Sequence, residues 1–356
     1  RYLCSGLGRI SLSGQNYDYE LNQVFFEDFK LKKPDYFLDA ATGTAVETIG
    51  NILMKIDPIM EEVKPQAFLV LGDTNSCLCA IAAKRRHIPI FHMEAGNRCF
   101  DECLPEETNR RIVDHIADVN LCYSEHARRY LNQEGTARER TYVIGSPMAE
   151  VLHANLDKIK ASKILERLGL GKGKYILLSA HREENIDMEE NFFSLMNAVN
   201  AMAEKYDMPI LYSCHPRSAK YIKERGFEFD RRVIKNKPLG FHDYNHLQTN
   251  AFAVVSDSGT LPEESSYFLS VGLPFPAICI RTSTERPEAL DKGNFILAGI
   301  TTEQVLQAVD IAVSMNRNGD YGVPVPDYTD ENVSAKVVKI IQSYTGVVNK
   351  MVWRKY

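Results

Sequence analysis

Short apolar runs rich in β-branched and aromatic residues alternate along this chain with longer amphipathic stretches. The runs are "AFLVLG" (67–72), "IPIFHM" (88–93), "VNLCYS" (119–124), "TYVIGS" (141–146), "YILLSA" (175–180), "PILYSC" (209–214), "AFAVVS" (251–256) and "FPAICI" (275–280). Between them, "TAVETIGNILMKIDPIMEEV" sets Val46, Ile49, Ile52, Leu53 and Ile56 at helical spacing. "NFFSLMNAVNAMAEKY" does the same with Phe192, Leu195, Met196 and Val199. Near-continuously apolar strands alternating with helices predict an α/β fold whose parallel sheets are covered on both faces. The stretch 151–174 is helical and basic, then glycine-rich. It holds no strand candidate and joins two βα arrays, so it marks a domain boundary. The expected organisation is an N-terminal domain (1–155), a second domain (156–330) and a C-terminal helical segment (331–356). That last segment reads as one helix, a glycine break and a closing piece.

The chain's 356 residues, 44% of them hydrophobic, suffice for two domains. A formal charge of −5 and a pI of about 6.0 give no sign of a nucleic-acid partner. No apolar run approaches the roughly 18 residues of a membrane span. The opening "RYLCSGLGRI" lacks the apolar core of a signal peptide. The eight cysteines are scattered, and the CxC of Cys77 and Cys79 has no partner cluster. A reduced, cytoplasmic protein without a metal site is expected. No GxxxxGK[ST] loop and no strand-borne GxGxxG occurs, so ATP and NAD lose support and no cofactor is expected.

In open parallel sheets, ligands bind beyond the carboxyl ends of the strands. Here those ends are polar. Asp73-Thr74-Asn75-Ser76 follows the first run, and Glu94, Gly96 and Arg98 follow the second. His181 and Arg182 follow "YILLSA", and His215 and Arg217 follow "PILYSC". Asp257-Ser258-Gly259-Thr260 follows "AFAVVS", and Arg281, Glu285, Arg286 and Glu288 follow "FPAICI". One cluster could be ordinary helix capping. Clusters split between two arrays and rich in His, Arg and Glu favour a cleft between two domains.

Two helix starts carry further chemistry. In "DSGTLPEESS", Pro262 fits a first helical turn, and Ser258, Gly259 and Thr260 would offer backbone N–H groups to an anion. Glu263 and Glu264 could merely complement the helix dipole, or one could grip a diol such as a ribose. "LPEETNRRIVDHIA" repeats the grammar from Pro105, with Ile112, Val113, Ile116 and Ala117 as its apolar face. Glu106 and Arg110 stand four apart, as do Glu107 and Arg111. Read alone, these are solvated ion pairs worth a few tenths of a kcal/mol each.

Taken together, "LGDTNS", "HMEAGNR", "LPEETNRR", "SAHREEN", "SCHPR", "SDSGTLPEES" and "RTSTERPEAL" resemble, in order and spacing, the non-hydrolysing UDP-N-acetylglucosamine 2-epimerase family, from about Gly14 onward. "FHMEAGNRCFDE" and "PFPAICIRTSTERPEALDKG" look closer to one branch, which inverts C2 of a UDP-linked 2-acetamido-2,6-dideoxy-L-talose to give UDP-N-acetyl-L-fucosamine for capsule or O-antigen. The resemblance implies two Rossmann-like domains facing across a cleft (GT-B-like), a homodimer, a UDP-sugar substrate, and no metal or nicotinamide. It also implies elimination of UDP to a 2-acetamidoglycal, followed by re-addition. Inverting so weakly acidic a carbon needs opposed proton-transfer groups. By this likeness Asp73, Glu94 and Glu106 match the essential acids, and His215 the essential histidine. Ser258 and Gly259 match diphosphate positions and Glu264 the ribose acid. His181, Arg182 and Arg286 match cleft positions that bind the UDP-sugar. Asp101 and Glu102 are expected to be solvated.

One departure concerns the start. Family members open with a strand, G-T-R-P-E and a helix, whereas here "GQNYDYELN" follows a stretch with neither GTRPE nor a convincing strand. The first strand and helix are thus expected to be missing or replaced, leaving a marginal first domain. Competing expectations are a UDP-N-acetylglucosamine 2-epimerase, a GT-B glycosyltransferase and an inactive nucleotide-sugar-binding relic.

Overall fold

The structure, a computed structural model, describes residues 11–12, 29 and 32–355. The chain divides into two compact units. Of the described residues, the first holds 11–12, 32–147 and 330–355, and the second holds Phe29 and 148–329.

In the first unit, β1 (Ser11–Leu12) pairs in parallel with β2 (Tyr36–Phe37). The sequence showed no strand at either place, since two residues carry no periodicity. The rest of the unusual start, including the whole "GQNYDYELN" stretch, lies outside the described residues. A four-stranded parallel sheet follows in chain order: β3 (Phe68–Leu71), β4 (Ile90–Met93), β5 (Val119–Cys122) and β6 (Thr141–Val143). Alternating residues face opposite ways. Val70 and Ile90 join the core made with Ile52, Ile56 and Met60 of the Ala45–Val63 helix. Phe91, Val119 and Leu121 join a core made with Val333, Val337 and Val348.

Those last residues belong to the Val333–Met351 helix, which corrects two expectations. The C-terminal segment is part of the first unit, because its apolar stripe covers one face of that sheet. The helix also runs unbroken through Gly346, where a Cβ would meet nothing within 4 Å. A mid-helix glycine costs only about 1 kcal/mol, less than the packing of the stripe on either side returns.

The second unit holds a six-stranded parallel sheet: β7 (Ile176–Ser179), β8 (Ile210–Ser213), β9 (Val233–Asn236), β10 (Ala253–Ser256), β11 (Ala277–Cys279) and β12 (Ile296–Leu297). Their spatial order is β12-β11-β10-β7-β8-β9. Ile176, Leu178, Ala253 and Val255 face one core, and Leu177 and Val254 the other. Every expected strand run is a strand. The edge strands β9 and β12 were missed, because "VIKN" carries a charged, half-exposed edge and "IL" is too short. The boundary also moves. Ala149, Leu152 and Ile159 of the Pro147–Lys160 helix pack with Tyr175 and Leu177. The division therefore falls at 147/148 rather than 155/156.

Strand order reverses between β7 and β10, neighbours in space that are far apart in sequence. Such a switch point leaves a crevice beyond the carboxyl ends of the two strands.

Candidate active site

In the first unit, the residues after β3 and β4 meet. Gly72 (φ 74°) ends β3, and a Cβ there would lie 3.2 Å from Glu94 Oε2. Glycine thus lets the Glu94 carboxylate lie against the Asp73 loop. Glu94 itself sits at φ 67°. A non-glycine residue there costs of order 1–3 kcal/mol and persists only when its surroundings impose it. Asn97 Nδ2 donates to Glu94 Oε1 at 3.3 Å. Asp73, its side chain 17% exposed, pairs with the Arg110 guanidinium, and Asn109 Nδ2 donates to its carbonyl at 3.0 Å.

The Pro105–Ile116 helix supplies Asn109 and Arg110. It also corrects the expected solvated ion pairs. Glu107 and Arg110 are 1% and 2% exposed. Arg110 bonds Glu107 at 3.0 Å rather than Glu106, and Arg111 reaches Glu107 at 3.2 Å. Glu106, half-buried in the first turn, makes no side-chain hydrogen bond or ion pair among the described residues. Glu102 is exposed and pairs with Arg111 at 2.8 Å. Asp101 caps its own turn through Cys103 N at 3.0 Å.

Beneath these loops lies a buried charge network that sequence reasoning missed. His92 Nδ1 lies 2.8 Å from Asp114 Oδ1, and Nε2 lies 3.0 Å from the Gly72 carbonyl oxygen. Asp114 also accepts from Gly96 N at 3.2 Å and from Arg98 Nη1 at 2.7 Å. Arg98 bonds Glu134 through two nitrogens, at 2.8 and 2.6 Å. Burial alone would raise the Asp114 carboxyl, but the His92 and Arg98 bonds outweigh it and hold it below the ordinary carboxylate range. His92 lies inside an apolar run and Asp114 in the last turn of a helix, so nothing in the sequence set them apart from ordinary core and surface positions.

In the second unit, the switch point collects His181, Arg182, His215, Ser258, Gly259 and Glu264. Asp257, fully buried, accepts from the backbone N–H groups of His181 (2.8 Å) and Arg182 (2.9 Å) and from Asn185 Nδ2 (3.2 Å). Its other oxygen lies 3.2 Å from His181 Nδ1. The rings of His181 and His215 stack with centroids 5.6 Å apart. His215 Nδ1 accepts from Arg217 N at 3.2 Å, capping the Pro216–Glu224 helix. Its Nδ1 is thus the unprotonated nitrogen and its Nε2 carries the proton.

The turn at 258–260 is more self-contained than expected. Ser258 N donates to Ser256 Oγ (3.0 Å) and Thr260 N to Ser258 Oγ (3.3 Å). Of the three N–H groups expected to face an anion, only that of Gly259 lacks a partner among the described residues. A Cβ at 259 would lie 3.1 Å from Arg182 Nη2, so glycine admits the guanidinium. The two candidate diol acids separate. Glu263 is buried and accepts from Arg286 at 2.7 Å, placing both in a structural pair. Glu264 accepts from Gln248 Nε2 (2.6 Å) and Thr260 Oγ1 (2.8 Å). Burial, with the Glu263 charge nearby, pushes its carboxyl up. Arg281 and Glu285 form a second buried pair at 3.0 Å.

The family model for UDP-N-acetylglucosamine 2-epimerase matches residues 8–342. The chain belongs to that family.

It is a UDP-sugar 2-epimerase, an isomerase. The solved structure of UDP-N-acetylglucosamine 2-epimerase from Rickettsia bellii is 46% identical, with a TM-score of 0.85 over 98% of this chain and 92% of that one. The Methanocaldococcus jannaschii enzyme in complex with UDP-GlcNAc and UDP is 30% identical, with a TM-score of 0.85 over 93% and 90%. The UDP-N-acetylglucosamine 2-epimerase of Methanococcus maripaludis is 35% identical over 316 residues, 86% of this chain and 84% of that protein. Among the described residues of this epimerase, no helix is long and apolar enough to cross a membrane. Nor do three or more His, Cys, Asp or Glu side chains gather where a metal could be held.

Proposed function

We propose that this epimerase inverts C2 of UDP-2-acetamido-2,6-dideoxy-L-talose to give UDP-N-acetyl-L-fucosamine. In the forward step a carboxylate takes the C2 proton. The C–H electrons become the C1–C2 double bond, and the C1–O bond to the diphosphate breaks, releasing UDP. In the return step UDP oxygen attacks C1 while a second group protonates C2 from the other face. Asp73, Glu94 and Glu106 are the proposed proton-transfer acids. Ser258, the Gly259 N–H and Arg182 are proposed to take the diphosphate. Glu264, oriented by Gln248 and Thr260, is proposed to accept from a ribose hydroxyl. His215 would offer Nε2–H to the departing phosphate, and His181 would be oriented by Asp257. Arg286 is proposed to act on the substrate indirectly, through its pair with Glu263.

The observation that carries the chemistry is the placement of Glu94 at a strained φ of 67°, against the glycine that precedes Asp73. Strain of that kind is retained where a side chain must be aimed. The L-sugar rests on the wording of "FHMEAGNRCFDE" and "PFPAICIRTSTERPEALDKG". A second reading, UDP-N-acetylglucosamine as substrate, is favoured by the names of the Rickettsia and Methanocaldococcus relatives. The test is incubation in D2O with each UDP-sugar alone, followed by NMR at C2. Deuterium should enter without added metal, nucleotide cofactor or acceptor, with traces of free UDP and glycal. Label that enters only when an acceptor is supplied would sink the epimerase chemistry, and faster exchange into UDP-N-acetylglucosamine would decide for the second substrate. We further propose a cytoplasmic homodimer that supplies a capsule or O-antigen precursor. A monomeric mass by light scattering would remove the dimer.

A further inference from the structure

We infer that Asp114, acting with His92, is a positioning residue that locks the two acid-bearing loops of the first unit into one arrangement. This rests on the reading of Asp73 and Glu94 given above. His92 stands on β4 and reaches across to the Gly72 carbonyl, one residue before Asp73. Asp114 holds the same ring from the other side. It also takes the Gly96 N–H, two residues after Glu94, with both oxygens at 3.2 Å. One buried carboxylate thus reaches both loops, directly on one side and through a single imidazole on the other.

The loop it holds resists its own conformation. Glu94 is at φ 67°, and Gly96 at φ 80° packs so closely that a Cβ would come within 2.5 Å of the Ala127 carbonyl oxygen. Strained backbone needs bonds that over-determine it. Asp114 and its partners supply them, since Arg98 braces the carboxylate at 2.7 Å and donates to the Asn97 carbonyl at 2.8 Å. Arg110 closes the ring from above, donating to that same carbonyl at 3.0 Å while pairing with Asp73. Asp114 is itself 1% exposed and His92 fully buried, so neither is placed to touch a substrate. Their effect on rate must pass through the acids.

The test uses the full chain. Asp114→Asn keeps the shape but turns one acceptor into a donor facing His92, Arg98 or Gly96 N–H. Displacing a catalytic group by about 1 Å can cost about a hundredfold in rate. Asp114→Asn should therefore lower kcat for C2 deuterium exchange about 100-fold, with KM and the UDP dissociation constant within about threefold. In a Glu94→Gln background, where the acid is already lost, the same change should cost less than about fivefold. Folded protein with kcat within threefold of wild type overturns the inference. So does a full 100-fold loss on top of Glu94→Gln, and so does a proportional fall in kcat and UDP affinity, which a merely structural role would give. If Asp114→Asn does not fold, His92→Gln decides: about a tenfold loss of kcat with UDP affinity intact upholds the inference, and unchanged kcat overturns it. If the wild type exchanges label into neither UDP-sugar, the epimerase reading has failed separately. Loop fixing is then read from amide hydrogen exchange at Gly96 in Asp114→Asn or His92→Gln. Tenfold faster exchange there upholds it, and an unchanged rate overturns it.

Discussion

Glu94 and Glu106 differ in how the fold treats them, and both differ from their acidic neighbours. Glu94 is held in strained backbone, Glu106 stands half-buried without a side-chain partner among the described residues, and Glu107 is consumed by Arg110 and Arg111. Glu94→Gln and Glu106→Gln should each lower turnover by about two orders of magnitude or more, the scale of a lost general acid or base, with UDP affinity unchanged by calorimetry. Asp101→Asn, a turn cap, should be nearly silent. Normal turnover in Glu106→Gln would return that residue to ordinary helix-dipole duty. In the second unit, Glu264→Ala should raise the UDP dissociation constant about tenfold or more, since hydrogen bonds to charged groups are worth about 1.5–3 kcal/mol. Glu263→Ala should instead lower stability, because it removes the carboxylate that the buried Arg286 guanidinium bonds at 2.7 Å. Reversed outcomes for the two glutamates would reverse their assignment.

At the scale of elements, turns after strands carry the chemistry and the strands fix where those turns begin. Gly96 shows how little slack they have. Its φ of 80° and a would-be Cβ at 2.5 Å from Ala127 O predict that Gly96→Ala destabilises the first unit by about 3 kcal/mol. Urea unfolding should show this as a shifted midpoint with unchanged slope. The C-terminal helix offers a second case. Beyond it Trp353 stacks on His87 with centroids 4.3 Å apart, and Lys84 Nζ lies 5.0 Å from the ring while bonding Asp118 at 2.7 Å. Trp353→Ala should cost the first unit about 1–2 kcal/mol through lost stacking and cation–π contact. A loss below a few tenths would mean that the helix stripe alone anchors the segment.

For the whole molecule, two separate sets of cores mean that stability must be read unit by unit. Trp353, the chain's single tryptophan, reports the first unit alone. Asp114 ties that unit's stability to pH. Its carboxyl ionises more readily folded than at the ordinary value of 3.8, so the unfolded chain takes up the proton first as pH falls. The stability it contributes is fully present above the unfolded value and is lost as pH drops from about 4 through the lowered folded value. Unfolding followed by Trp353 fluorescence should therefore show falling stability from pH 5 to pH 3, with a shallower fall in Asp114→Asn. Equal slopes would mean that other carboxylates dominate.

The alternation of apolar runs with helical stretches determined the α/β class and the strands themselves, because a strand buried on both faces must be apolar throughout. The polar residues at strand ends were legible for the same reason: they interrupt runs that otherwise tolerate no charge. Helix starts such as Pro105 and Pro262 were legible from local backbone chemistry. The edge strand β9 was not, since a half-exposed strand carries charge like any loop. The return of the Val333–Met351 helix to the first unit was not, because an apolar stripe does not say which sheet it covers. The fates of Glu106 and Glu107, of Glu263 and Glu264, and of the Asp114 and Asp257 anchors were decided by tertiary structure alone. Each depends on which of several cations or N–H groups a carboxylate meets, whether one turn away as for Glu107 or across tens of residues as for Asp114 and Asp257, and that choice is set by packing rather than spacing.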